Sequence, residues 1–136
     1  MEELTQSIEE IVQYIVSCDP AIYRVVITDR QGLEIVSYAK NWNRKPNEDK
    51  NKNPAYPLLN TICINCEKFL NFLRNNKLSP FIFSWNFKKG TIFAASLPIG
   101  FIGVFCEADV NPGLVKRILR KKAIEYYQLV KDIFTE

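Results

Sequence analysis

The sequence predicts an α+β domain: a five-stranded antiparallel sheet flanked by three helices, in the order α-β-β-α-β-β-β-α. Three observations carry this. Apolar residues recur at helical spacing in 4–17, 57–77 and from 111 onward. Between them lie short runs rich in β-branched and aromatic residues. Within each group of strands the joins are only a few residues long, which suits hairpins and therefore antiparallel pairing.

The first helix, 4–17, places Leu4, Ile8, Ile11, Val12, Ile15 and Val16 on one stripe, with acidic and polar residues opposite. Cys18-Asp19-Pro20 ends it, because the residue before proline avoids the helical region. Ile22–Thr28 and Leu33–Tyr38 read as strands joined by the turn Asp29-Arg30-Gln31-Gly32, in which glycine supplies a positive φ. Lys40 to Pro54 holds five asparagines and two prolines among mixed charges, and 40–56 reads as a polar loop inserted in the domain.

Pro57–Lys77 reads as the middle helix, with Pro57 suited to its first turn and Asn75-Asn76 to its end. Leu58, Leu59, Ile62, Cys63, Cys66 and Leu70 belong to an apolar arc of about 140°, widened to about 180° by Phe72. A surface helix needs an arc of only about 100°. The excess predicts that this helix touches more than its own sheet.

Phe81–Phe87 alternates, with Phe81, Phe83, Trp85 and Phe87 on one face and Ile82, Ser84 and Asn86 on the other. Lys88-Lys89-Gly90 turns the chain into Thr91–Leu97, and Pro98-Ile99-Gly100 turns it again into Phe101–Glu107. The last helix begins near Asn111-Pro112, an N-cap followed by a residue pre-set for the first helical position. Its expected buried stripe is Leu114, Ile118, Leu119, Tyr126, Leu129, Val130 and Ile133.

At 136 residues and 47% hydrophobic, 1–136 is expected to be a single domain that folds without disulfides or metal. It contains no histidine, which excludes Ser-His-Asp and Cys-His nucleophile systems and His-ligated zinc or haem. The N-terminus is acidic rather than basic, unlike a signal peptide. The longest uncharged run, Gly90–Cys106, is shorter than the roughly 20 residues of a membrane helix. No integral membrane segment is expected, and four cysteines in such a chain suggest free thiols in the cytoplasm.

The net charge of +3 is unevenly spread. Residues 1–19 carry five acids and no base, whereas 112–122 carry five bases and no acid. Lys116, Arg117, Arg120 and Lys121 share one face of the last helix. They read either as a solvated face beside the acidic first helix or as a site for a protein or other anionic partner. No aromatics interleave with them and no nucleic-acid motif surrounds them, so nucleic acid is not expected.

Cys63-Ile64-Asn65-Cys66 lies well inside the apolar helix rather than at a helix start, and reads as core or interface packing. The stripe Phe81-Phe83-Trp85-Phe87 reads as core, or as core and dimer interface together if its strand lies at a sheet edge. Asp29 and Gly32 are explained by a hairpin, and no pair of carboxylates forms an acid/base couple. No catalytic residue, cofactor or metal is assigned.

The order of elements, with Val25–Val36 as strand-turn-strand and Gly90–Glu107 leading into Asn111-Pro112-Gly113-Leu114-Val115, resembles the Roadblock domain, named for a dynein light chain. That resemblance implies a non-enzymatic, dimeric adaptor or regulator of a small Ras-like GTPase, or a scaffold subunit. The partner in the dimer would be a second copy or a paralogous Roadblock chain. It further implies edge-to-edge pairing of the third strands with the middle helices packed across them. On this chain the implied dimer residues are Leu59, Cys63, Leu70, Phe81, Phe83 and Trp85. An alternative reading is a small-molecule sensor domain of the PAS or GAF kind, which also places helices between antiparallel hairpins. A Longin-like trafficking domain fits less well, since it begins with strands.

Overall fold

The computed structural model describes residues 2–29, 31, 33–40, 81–87 and 90–134. Within them the chain forms α1 (Glu2–Ser17), β1 (Ile22–Thr28), β2 (Glu34–Ala39), β3 (Phe81–Phe87), β4 (Gly90–Leu97), β5 (Gly100–Glu107) and α2 (Pro112–Phe134). The expected loop at 40–56 and middle helix at 57–77 lie outside the described residues but for Lys40, so two of the three predicted helices are seen. The five strands form one antiparallel sheet in the order β2-β1-β5-β4-β3.

Element bounds follow from local chemistry. Asn111 caps α2: its side-chain Oδ1 accepts from the Leu114 N–H at 3.2 Å, and its carbonyl accepts the first helical bond from Val115. Asp29 makes the β1–β2 turn, its Oδ1 accepting from the N–H groups of Gln31 and Leu33. Gly100 closes the two-residue β4–β5 turn with φ +146, a conformation that side chains resist.

Both helices lie on the same face of the sheet, α1 over β1 and β2, and α2 over β4 and β3. Ile11, Val12, Ile15 and Val16 of α1 pack with Val115, Leu119, Ala123 and Val130 of α2 on Val25, Ile27, Phe93, Ile102 and Val104. Each such side chain larger than alanine, fully buried, contributes about 1.5–3 kcal/mol. Tyr126 sits in the same layer, where burial pushes its hydroxyl up to about 12.

The α1 stripe is buried as the periodicity predicts, with Leu4 packed at its margin. The α2 stripe needs correction. Leu129 is 40% exposed, while Val115 and Ala123 are fully buried. The helix rests on small residues and turns Leu129 outward, a rotation that large-residue counting misses.

The opposite face has its own apolar cluster of Val26, Ile92, Ala94, Phe101 and Phe105, joined by partly buried Tyr23, Phe83 and Trp85. Neither described helix covers it. A bulge supplies part of it: Ile22 pairs with Cys106 and Arg24 with Phe105, so Tyr23 is an extra residue. Its ring stands 6.3 Å from that of Phe105.

Candidate protein interface

β3 pairs only with β4 and is the outermost strand on its side of the sheet. An outermost strand offers a row of backbone donors and acceptors to another chain. Phe83 and Trp85 project to the second apolar face, with ring centroids 5.9 Å apart. The register Phe83↔Ala94, Ala94↔Gly103 and Gly103↔Val26 sets Phe83 directly across from small residues on its own face. Ser84 and Asn86 alternate with the aromatics and are exposed. Phe81 lies at the start of the same strand. Leu59, Cys63 and Leu70, which the sequence groups with these aromatics, lie outside the described residues, as does Cys66.

The opposite edge is β2, which exposes Leu33, Ile35 and Tyr38 at its margin. Its inner neighbour β1 holds it through Arg24, 9% exposed, which reaches Glu34 at 3.7 Å and donates to the Ser37 hydroxyl at 3.3 Å.

On the helical face, Lys116, Arg117, Arg120 and Lys121 are all exposed, and among the described residues none of them forms an ion pair. Lys122 behaves differently. Its ammonium lies 3.0 Å from Glu125 and 4.0 Å from the centre of the Tyr14 ring on α1. The acidic and basic helices are therefore side by side, and above their shared apolar core Lys122 and Tyr14 form a cation–π contact between them.

The thiols described are not poised for chemistry. Burial pushes Cys106 up to about 12 and raises Cys18 as well, with the Asp19 charge adding to both. The pattern Cys18-Asp19-Pro20 marks only a helix stop and does not disclose the role of Asp19. Its carboxylate accepts from the N–H groups of Ala21 at 2.8 Å and Asn111 at 3.0 Å, and the Lys40 ammonium donates to its backbone carbonyl at 2.9 Å.

Compared with solved structures, the chain superposes on the gliding protein MglB from Thermus thermophilus with a TM-score of 0.69 over 91% of this chain and 88% of that one, at 10% identity. Myxococcus xanthus MglB gives a TM-score of 0.69 at 14% identity, covering 93% of this chain and 96% of the other. A Roadblock/LC7 domain from Streptomyces avermitilis gives 0.59 at 8% identity, covering 93% and 97%.

The fold is Roadblock-like.

At these identities the likeness is one of backbone. No protein-family model matches the sequence, and no curated protein does. In this Roadblock-like frame β3 is an outer strand, the condition on which its aromatic stripe becomes an interface candidate. No described helix is long and apolar enough to cross a membrane.

Proposed function

We propose that the chain is a non-catalytic dimeric adaptor or regulator that binds a small Ras-like GTPase, or serves as a scaffold subunit, in the cytoplasm. The observation that carries this reading is the position of β3. It is an outermost strand, it is short and regular, and it presents Phe83 and Trp85 toward an apolar face that neither described helix covers. Joining two such strands across a two-fold axis pairs their backbones and buries the aromatics. The Roadblock-like fold supports the same reading.

In this proposal the helix expected at 57–77 packs on the second face, with Leu59, Cys63 and Leu70 turned toward the partner protomer beside Phe81, Phe83 and Trp85. Lys116, Arg117, Arg120 and Lys121 remain free for a further partner. The second protomer is another copy or a paralogous Roadblock chain. The reading calls for no cofactor and no catalytic group on this chain. The GTPase would be recognised by surface complementarity, and any effect on hydrolysis would come from its own loops.

Light scattering on the full chain tests the dimer, with a mass of two chains expected. Pull-down of small GTPases loaded with GDP or with a GTP analogue tests the partner. A single-chain mass without a paralogue present, together with an empty pull-down in both nucleotide states, would overturn the proposal.

A further inference from the structure

We infer that the paired molecule carries a central basic strip, built from both copies of α2, that binds an acidic segment of a partner protein. This rests on the β3-edge dimer proposed above. α2 lies over β4 and β3, next to the pairing edge, whereas α1 lies over β1 and β2, away from it. Across a β3–β3 junction the two β4 strands are three strand spacings apart, about 14 Å. Helices resting on them, each about 10 Å across, become neighbours. Two sets of Lys116, Arg117, Arg120 and Lys121 then occupy the middle of one surface, all exposed, with Ile124 exposed among them.

The acids go the other way. Glu2, Glu3, Glu9 and Glu10 are exposed on α1, and the dimer carries them to its two outer flanks. A single copy shows one acidic and one basic stripe side by side. The dimer shows a basic centre between acidic margins.

That pattern selects a narrow partner. Screening at physiological salt acts over about 8 Å, so the centre and the flanks are felt separately. A broad anionic sheet, such as a lipid surface, meets both, and attraction at the centre is opposed at the margins. A DNA duplex is also broad, and no aromatic or amide side chains stand among the cations to read bases. An acidic helix or extended acidic segment, one element wide, meets mainly cations, since the exposed Glu125 of α2 is paired with Lys122. It would also offset the repulsion that pairing imposes on the two basic clusters, so binding and dimerisation should strengthen each other.

The test uses the full chain, a short fluorescein-labelled polyglutamate peptide read by anisotropy, and mass by light scattering in the same buffers. The wild-type dimer should bind the peptide, and added salt should weaken it. Arg117→Glu with Arg120→Glu should lower affinity about tenfold or more while the two-chain mass persists. Ser84→Lys, an exposed change on β3, should yield single chains that bind as weakly as that variant. Phe83→Asp, checked by circular dichroism, is the second edge variant.

A single-chain mass for the wild type defeats the dimer, and the strip with it. A two-chain mass with no peptide binding, or with binding unaltered by the arginine changes, defeats the strip alone. Equal binding by monomeric variants shows that one α2 suffices. Preferential binding to phosphatidylserine vesicles, or a mass above two chains at low salt, assigns the cations to lipid or to the acidic helix of another copy. Each of these last three results also overturns the inference.

Discussion

The carboxylate of Asp19, just beyond α1, accepts a hydrogen bond at 3.0 Å from the backbone N–H of Asn111, just before α2. Its other oxygen accepts from the Ala21 N–H at 2.8 Å. One side chain, 7% exposed, thus ties the first helix–strand joint to the last strand–helix joint. Asp19→Ala should strand both donors and cost about 2 kcal/mol in a urea titration near neutral pH. The bonds from Ala21 and then Asn111 hold the carboxyl below its ordinary value. A depressed value means that the stabilisation is complete above the unfolded value of about 3.9 and is lost as pH falls through the folded one. The gap between wild type and variant should therefore be constant above about pH 5 and narrow below about pH 4. A gap that does not change on acidification would show that the charged form is not what matters.

Gly100 and Gly90 should tolerate no side chain. A methyl group at Gly100 would meet the Thr28 carbonyl oxygen on β1 at 2.0 Å, and φ there is +146. At Gly90 it would meet the Cys106 carbonyl oxygen at 2.0 Å. In both cases the obstacle is backbone of a paired strand, which cannot rotate aside. Gly100→Ala should cost about 3 kcal/mol or more, through strain and displaced pairing together. Gly113→Ala is the control, since its nearest neighbour there is the Asn111 side chain at 3.7 Å. Thermal unfolding of the two variants should separate them clearly. Equal midpoints would mean that the β4–β5 turn relaxes freely.

The thiols give a third prediction. Cys106 is 1% exposed and its thiol is pushed up to about 12, while Cys18 is half-buried and raised. Maleimide at mildly alkaline pH should label Cys18 slowly and Cys106 only on unfolding. Peptide mapping distinguishes them from Cys63 and Cys66. Rapid native labelling of Cys106 would reveal local opening of β5.

Much of this fold is legible in the sequence because its signals are local. Phe81–Phe87 and Ile22–Thr28 match the strands residue for residue, since alternation and β-branching mark them. Asn111-Pro112 marks the start of α2 because a cap is a short-range device. Leu33–Tyr38 is displaced by one residue, since Asp29 draws the Leu33 N–H into the turn. What sequence does not disclose is non-local. The Asp19–Asn111 bond spans 92 positions, and the outward rotation of Leu129 depends on how closely Val115 and Ala123 approach the sheet. The outer position of β3 follows from β5 inserting between β1 and β4, which no residue of β3 encodes. Leu59, Cys63 and Leu70 are known from their spacing alone.

The last prediction concerns that outer strand. Phe83 is half-buried within one chain, and Ser84 beside it is exposed. A charge at Phe83 costs stability within the protomer as well as pairing, whereas a lysine at exposed Ser84, on the helix-bearing face, leaves the second apolar face untouched. Lysine on an outer strand is a known means of preventing edge pairing, and two-fold pairing would bring two such lysines near each other. Ser84→Lys should therefore reduce the mass to one chain with a melting temperature that no longer depends on protein concentration. Phe83→Asp should do the same and also lower the monomer's own stability by about 2–4 kcal/mol, since it places a charge on a partly buried apolar face. Trp85, whose ring lies 5.9 Å from Phe83, reports the event once Trp42 is replaced by Phe: in that background its emission should shift to the red on dilution and be shifted already with Ser84→Lys. If Ser84→Lys keeps the two-chain mass, the copies pair through some surface other than β3.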